Sequence, residues 1–134
     1  FAGGTPGAVH DLVSGRVLRV SGNQPFTLLV LDEASRMGLP EAVMAAKALA
    51  PTGKAVVVGD HRQMQPIRAR EWDSDPRRVF EAYAPFESAY DALRSRQTDD
   101  LSLDESFRLH RDVAEFLRAQ VYWRDKIPYH SKRT

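Results

Sequence analysis

The stretch LLVLDEAS, residues 28–35, runs four apolar residues into two carboxylates and then two small residues. Phe26 to Leu31 is apolar or β-branched throughout, without polar alternation. That pattern predicts a parallel strand covered on both faces. Asp32 and Glu33 then fall at the strand's carboxyl end, where open α/β sheets bind their ligands. One carboxylate at such a position can face a Mg²⁺ ion, which takes oxygen ligands and keeps several waters. Its neighbour, one residue on, points elsewhere and can polarise an attacking water. The plainer alternative is a solvated acidic pair that ends a strand.

Outward from this stretch, Pro40 and Glu41 suit the first turn of a helix over 40–50, whose body is alanine-rich. Pro51-Thr52-Gly53 ends that helix, and Ala55 to Val58 reads as the next buried strand, closing at Gly59-Asp60. Strand, helix and strand in this order make a βαβ unit. Residues 3–7, Gly-Gly-Thr-Pro-Gly, read as a loop, 16–20 as a short strand or connector, and 68–79 as a polar surface loop. Phe86, Ala89, Tyr90 and Leu93 recur at helical spacing, and so do Val113, Phe116, Leu117 and Val121 within a helix over 112–122. Leu101 to Leu103 is a candidate short strand.

Composition bounds the chemistry. The 134 residues are 43% hydrophobic and 28% charged, a globular balance with enough chain for one modest core. Nineteen basic against eighteen acidic residues leave a net charge of +1, so any nucleic-acid partner must be held by a local patch. The absence of cysteine excludes disulfides, thiol catalysis and cysteine-bound metals, and fits a cytoplasmic protein. No apolar run reaches the length of a membrane span and no signal peptide is visible. The first residue is Phe1, which fits a chain that starts inside a larger protein.

Gln63 follows the second strand in AVVVGDHRQMQPI, residues 55–67. A neutral amide beside a phosphate site can donate to a terminal phosphate oxygen and accept from water, and so sense that phosphate. Alone, it is an ordinary surface-loop residue. Three stretches occur in order: LLVLDEAS, then VVVGDHRQMQPI, then LSLDESFRLHRDVAEFLRAQVYW. Together they resemble Walker B, motif III and motif IV of superfamily 1 helicases, with a lean toward the 5′-to-3′ branch. PFESAYDALRS, residues 85–95, also looks like the helix that often precedes motif IV there. The resemblance covers nearly the whole chain.

The resemblance implies an α/β fold, a partial RecA-like P-loop NTPase domain with a parallel sheet flanked by helices. Residues 1–134 would be the later portion of the first motor domain of an ATP-dependent helicase or translocase. Asp32 would hold Mg²⁺ and Glu33 would orient or deprotonate the attacking water. Gln63 would couple the γ-phosphate of ATP to the nucleic-acid track, and Arg108 would reach that phosphate. Arg108 read alone also fits a capping or salt-bridging residue near a helix start. Asp60 is assigned to loop geometry. Thr5 and Pro6 resemble a threonine-bearing loop that touches single-stranded nucleic acid, with DNA favoured over RNA as the partner. His61 and Arg62 could face the same strand. The implied partners are that strand and a second RecA-like domain of the same polypeptide.

A Gly-x-x-x-x-Gly-Lys-[Ser/Thr] loop does not occur in these residues. Thr52-Gly53-Lys54 lacks the upstream glycine, and alanine follows the lysine. The fragment alone is therefore expected to be inactive and to bind ATP weakly or not at all. Two rival readings remain: a motor-derived scaffold that hydrolyses nothing, and an unrelated α/β enzyme using Asp32 and Glu33 for other metal chemistry. Trp72 reads as a half-buried loop residue, with base stacking as the alternative, and Trp123 is expected to pack.

Overall fold

The computed structural model describes residues 2–14, 24–67, 84–96 and 100–133. The expected connector at 16–20 and the loop at 68–79 with Trp72 lie outside them. The chain divides into two compact units, Phe1–Gln97 and Thr98–Thr134. Each holds a small two-stranded parallel sheet with helices against it, a mixed α/β arrangement. Among the described residues, no helix is long and apolar enough to cross a membrane.

In the first unit, helix α1 spans Pro6–Val13 and takes in the last two residues of the loop expected at 3–7. Thr5 caps it by accepting the Ala8 N–H at 3.3 Å, and Pro6 supplies a preset φ at the first turn. Strand β1, Phe26–Leu31, has the expected bounds. Helix α2 is Leu39–Ala46, ending sooner than expected. Glu41 reaches back and accepts the Gly38 N–H at 3.0 Å, which satisfies one orphan donor at its start. Strand β2, Leu49–Val57, begins within the expected helix. Phe26 N–H donates to the Ala48 carbonyl at 3.2 Å and Phe26 pairs with Leu49, so ladder bonding outweighs the helix preference of the alanine run.

The β1–β2 pairing is parallel but irregular. Between Phe26↔Leu49 and Leu28↔Lys54 the ladder advances five positions on β2 against two on β1. Pro51, which has no N–H to give, lies in that excursion. Thr52 to Lys54 thus lie in a strand. Leu31 is buried against α2 with Ala34, Ala42, Ala45 and Ala89, and Leu29, Met37, Val57 and Tyr90 pack around them. The expectation of cover on both faces does not hold: Leu28 and Val30 are each 56% exposed, and Val56 is 47% exposed beside Val30. Among the described residues this sheet is packed on one face only.

Helix α3 is Ala89–Arg94, shorter than the expected periodicity. Phe86 lies in the turn before it rather than on it. Ser88 ends that turn with a buried cap, accepting the Asp91 N–H at 3.0 Å and donating to the Asp91 carboxylate at 2.7 Å. Ala89 N–H donates to the Met37 carbonyl at 2.9 Å, which fastens the start of α3 beside the start of α2.

The second unit is another strand–helix–strand. Strand β3, Glu105–His110, pairs in parallel with β4, His130–Arg133. Helix α4, Arg111–Leu117, runs on into a π turn at Arg118–Tyr122 and a 3₁₀ turn at Trp123–Asp125, in place of one regular helix over 112–122. Leu101 to Leu103 form no strand, and both leucines are exposed. The strand lies a few residues later, where serines hold it. Ser106 Oγ accepts from Arg108 and Leu109 N–H, both at 3.3 Å, and Ser131 Oγ reaches the Ser106 carbonyl at 3.2 Å. The apolar stripe of α4 is not covered as expected: Val113 and Phe116 are exposed. Trp123, expected to pack, is 58% exposed, with the Arg124 guanidinium 5.2 Å from its ring centre.

Candidate functional site

The site is built where β1 and β2 end side by side. Val58 N–H donates to the Leu31 carbonyl at 2.8 Å, and Ala34 N–H donates to the Val58 carbonyl at 2.8 Å. These bonds continue the ladder past both strands and set the turn after β1 against the turn after β2. Asp32 and Glu33 are exposed on the first turn. Asp32 Oδ1 accepts the Glu33 N–H at 2.9 Å, so Oδ2 is its open oxygen among the described residues. Glu33 has φ 53° and ψ 34°, the left-handed region that a residue with a Cβ enters at a cost. The next two residues, Ala34 and Ser35, are buried.

Asp60 organises the second turn. Its N–H donates to Ser35 Oγ at 3.3 Å, a bond that spans 25 residues of sequence. One carboxylate oxygen accepts the Arg62 N–H at 2.9 Å and the other accepts from the Gln63 side-chain amide at 3.0 Å. The Asp60 carbonyl accepts the Gln63 N–H at 3.0 Å. The loop-geometry role expected of Asp60 is thus visible in its bonds. Gln63 is held on this carboxylate, and its Oε1 has no partner among the described residues.

Asp32, Glu33, Asp60, His61, Arg62 and Gln63 therefore share the carboxyl end of one small sheet. His61 is half-buried and stacks its ring on Tyr90, with centroids 6.4 Å apart and planes 4° from parallel. Thr5 and Pro6 are elsewhere in the unit, starting α1, and the Thr5 hydroxyl is occupied as a helix cap. Arg108 belongs to β3 of the second unit, with an exposed side chain. Its backbone is tied locally: its N–H goes to Ser106 Oγ, and its carbonyl accepts from Arg133 at 3.0 Å.

Three residues to which sequence reasoning gave no role in the site shape it: Ser35, Gly59 and Tyr90. A Cβ at Gly59 would sit 2.9 Å from the Ser35 backbone nitrogen and 2.9 Å from Tyr90 Cδ2. The signals were faint, a small pair after the acids and one glycine after a valine run. Farther along, Met64 to Ile67 face Arg36, Pro40 and Glu41 across an open groove.

The arrangement offers exposed carboxylate oxygens beside a fixed amide. That donor set suits a hard divalent cation that keeps most of its waters. The described residues contain no group of three or more metal-ligating side chains.

Comparisons with known proteins agree in kind and are limited in reach. No family model matches the chain. Over 98 residues, 70% of its length, the chain is 26% identical to the 3'-5' exoribonuclease HELZ2 of Mus musculus. It spans 3% of that relative's length. The chain is thus a mixed α/β polypeptide with a distant and partial likeness to a nucleic-acid enzyme.

Proposed function

We propose that this chain is part of an ATP-driven motor on single-stranded nucleic acid, contributing a portion of a RecA-like domain of superfamily 1 helicase type. One observation carries the reading. The acid pair after β1 and the glutamine loop after β2 are cross-linked at the same end of a parallel sheet by the Val58–Leu31, Ala34–Val58 and Asp60–Ser35 bonds. The likeness to an enzyme named as an exoribonuclease supports a nucleic-acid setting.

In this reading the Asp32 carboxylate would help hold Mg²⁺, whose charge would offset that of the ATP phosphates. Glu33 orients the attacking water and takes its proton. Gln63, steadied by Asp60, keeps Oε1 available to that water and a second amide hydrogen available to a phosphate oxygen. For Arg108, on the second unit, the resemblance alone implies a positive charge for the γ-phosphate. The reading requires a phosphate-binding loop and a second RecA-like domain in addition to the residues of this chain. Contact with the strand is assigned to Thr5 and Pro6 at the start of α1 and, separately, to His61 and Arg62 in the loop after β2. The relative's name describes an enzyme of RNA, so the expected preference for DNA gains no support from it.

The test is nucleic-acid-stimulated ATP hydrolysis by the full-length protein, with RNA and DNA single strands in parallel. Glu33→Gln should abolish turnover and spare nucleotide binding. Unchanged turnover in that variant refutes the role given to Glu33. The chain by itself should show no micromolar ATP binding in titration calorimetry.

A further inference from the structure

We propose that Ser35 and Tyr90 are positioning residues that lock the Asp60–Gln63 loop to the Asp32–Glu33 turn, so that acids and glutamine move as one piece. The inference rests on the motor reading above and extends it to two residues within the matched stretches to which the resemblance gives no role. Ser35 is 2% exposed and spends its hydroxyl oxygen on the Asp60 N–H, 25 residues away. A buried polar side chain is retained when its hydrogen bond does something that an apolar group cannot. Here the bond ties the residue two places after Glu33 to the residue that holds Gln63.

Tyr90 closes the other side. Its ring lies where a Cβ on Gly59 would be, with Cδ2 at 2.9 Å and Cγ at 3.2 Å from that position. The same ring stacks on His61, one residue past Asp60. Gly59 is thus held between the Ser35 backbone and the Tyr90 ring, and the loop has no room to slide toward either. Tyr90 itself is anchored, because α3 begins on the Met37 carbonyl and behind the buried Ser88 cap. The path runs from Glu33 through Ala34 and Ser35 to Asp60, and from Asp60 to the Gln63 amide. Neither Ser35 nor Tyr90 needs to touch nucleotide. Their effect is on where Gln63 stands when water attacks.

The experiment uses the full-length protein and compares Ser35→Ala, Tyr90→Leu and Tyr90→Phe with wild type and Glu33→Gln. A misplacement of about 1 Å at a catalytic group costs up to about 100-fold in rate. Ser35→Ala and Tyr90→Leu should therefore lower kcat for ATP about 10- to 100-fold, with KM for ATP changed less than about twofold. Tyr90→Phe keeps the stacking ring and should restore kcat to within about threefold of wild type. Wild-type kcat in Ser35→Ala and Tyr90→Leu, with Glu33→Gln inactive, overturns this inference and leaves the motor reading standing. Losses that fall on KM instead of kcat, or a Tyr90→Phe variant as impaired as Tyr90→Leu, also overturn it. Full turnover in Glu33→Gln removes only the role given to Glu33, whereas a wild-type protein without nucleic-acid-stimulated ATP hydrolysis removes the motor reading itself. If Tyr90→Leu does not fold, Ser35→Ala, which removes a single oxygen, decides the question alone.

Discussion

Replacing Gly59 with alanine adds one carbon at the tightest point of the site. The new Cβ would stand 2.9 Å from the Ser35 backbone nitrogen and 2.9 Å from Tyr90 Cδ2. Comfortable carbon contacts lie at about 3.5–4.0 Å, so both contacts must open by more than half an ångström. The Ser35 side cannot yield cheaply, because Ala34 and Ser35 are buried and Ala34 N–H is bonded to Val58. Overpacking of this kind costs about 1–3 kcal/mol. If the loop gives way instead, the Asp60–Ser35 bond is lost, at about 1 kcal/mol. The expected destabilisation is about 1–3 kcal/mol, a fall in Tm of roughly 4 °C or more for a unit of this size. Gly7→Ala is the matched control. Nothing lies within 4 Å of a Cβ at Gly7, inside α1, and alanine favours helix over glycine by up to about 1 kcal/mol. Thermal unfolding followed by circular dichroism should move in opposite directions for the two variants. A Gly59→Ala protein melting within about 2 °C of wild type would refute the packing argument for the site.

Glu33→Gly should relieve a left-handed backbone worth roughly 1–2 kcal/mol while adding about 0.5–1 kcal/mol of unfolded-state entropy. Chemical denaturation of the chain should then show a net gain of about 0–1.5 kcal/mol, whereas turnover of the full-length protein is lost. Ser88→Ala removes a buried cap with two bonds to Asp91 and should cost about 1–2 kcal/mol, more than Thr5→Ala, whose exposed cap makes one bond at 3.3 Å. Equal losses in the two variants would contradict the weight given to burial. On α4 the hydrogen bond from Arg118 holds the Glu115 carboxyl below its ordinary value of 4.5, with burial opposing and the charges of Arg118 and Arg111 adding to it. A lowered folded value means that this small contribution is present above about pH 4.5 and is lost as the pH falls through the folded value. Arg118→Gln should return the Glu115 titration, read by NMR, to the ordinary range.

The local code of the chain was enough for β1 and for the position of the acids at its end. Phe26 to Leu31 is a strand with those bounds because six consecutive residues all favour extended, buried backbone. Asp32, Glu33 and the Gly59–Gln63 loop were legible because charge and glycine interrupt apolar runs there. The limits of α2 were not legible: alanine favours helix locally, yet Leu49 and Ala50 gain a ladder partner in β1. The strand at Glu105–His110 was hidden for a related reason. Its pairing depends on serines and on His130–Arg133, far along the chain, while Leu101 to Leu103 merely look like a strand.

By itself the sequence determined which residues carry charge, hydroxyl and amide, and that two apolar runs would end beside acids. Only the tertiary structure decided that β1 is packed on one face, that Glu33 sits in left-handed backbone, and that Ser35, Gly59 and Tyr90 brace the Gln63 loop. The reason is range. Periodicity and turn chemistry act over a few residues, whereas the bond from Asp60 to Ser35 spans 25 residues and exists only once the two strands lie side by side.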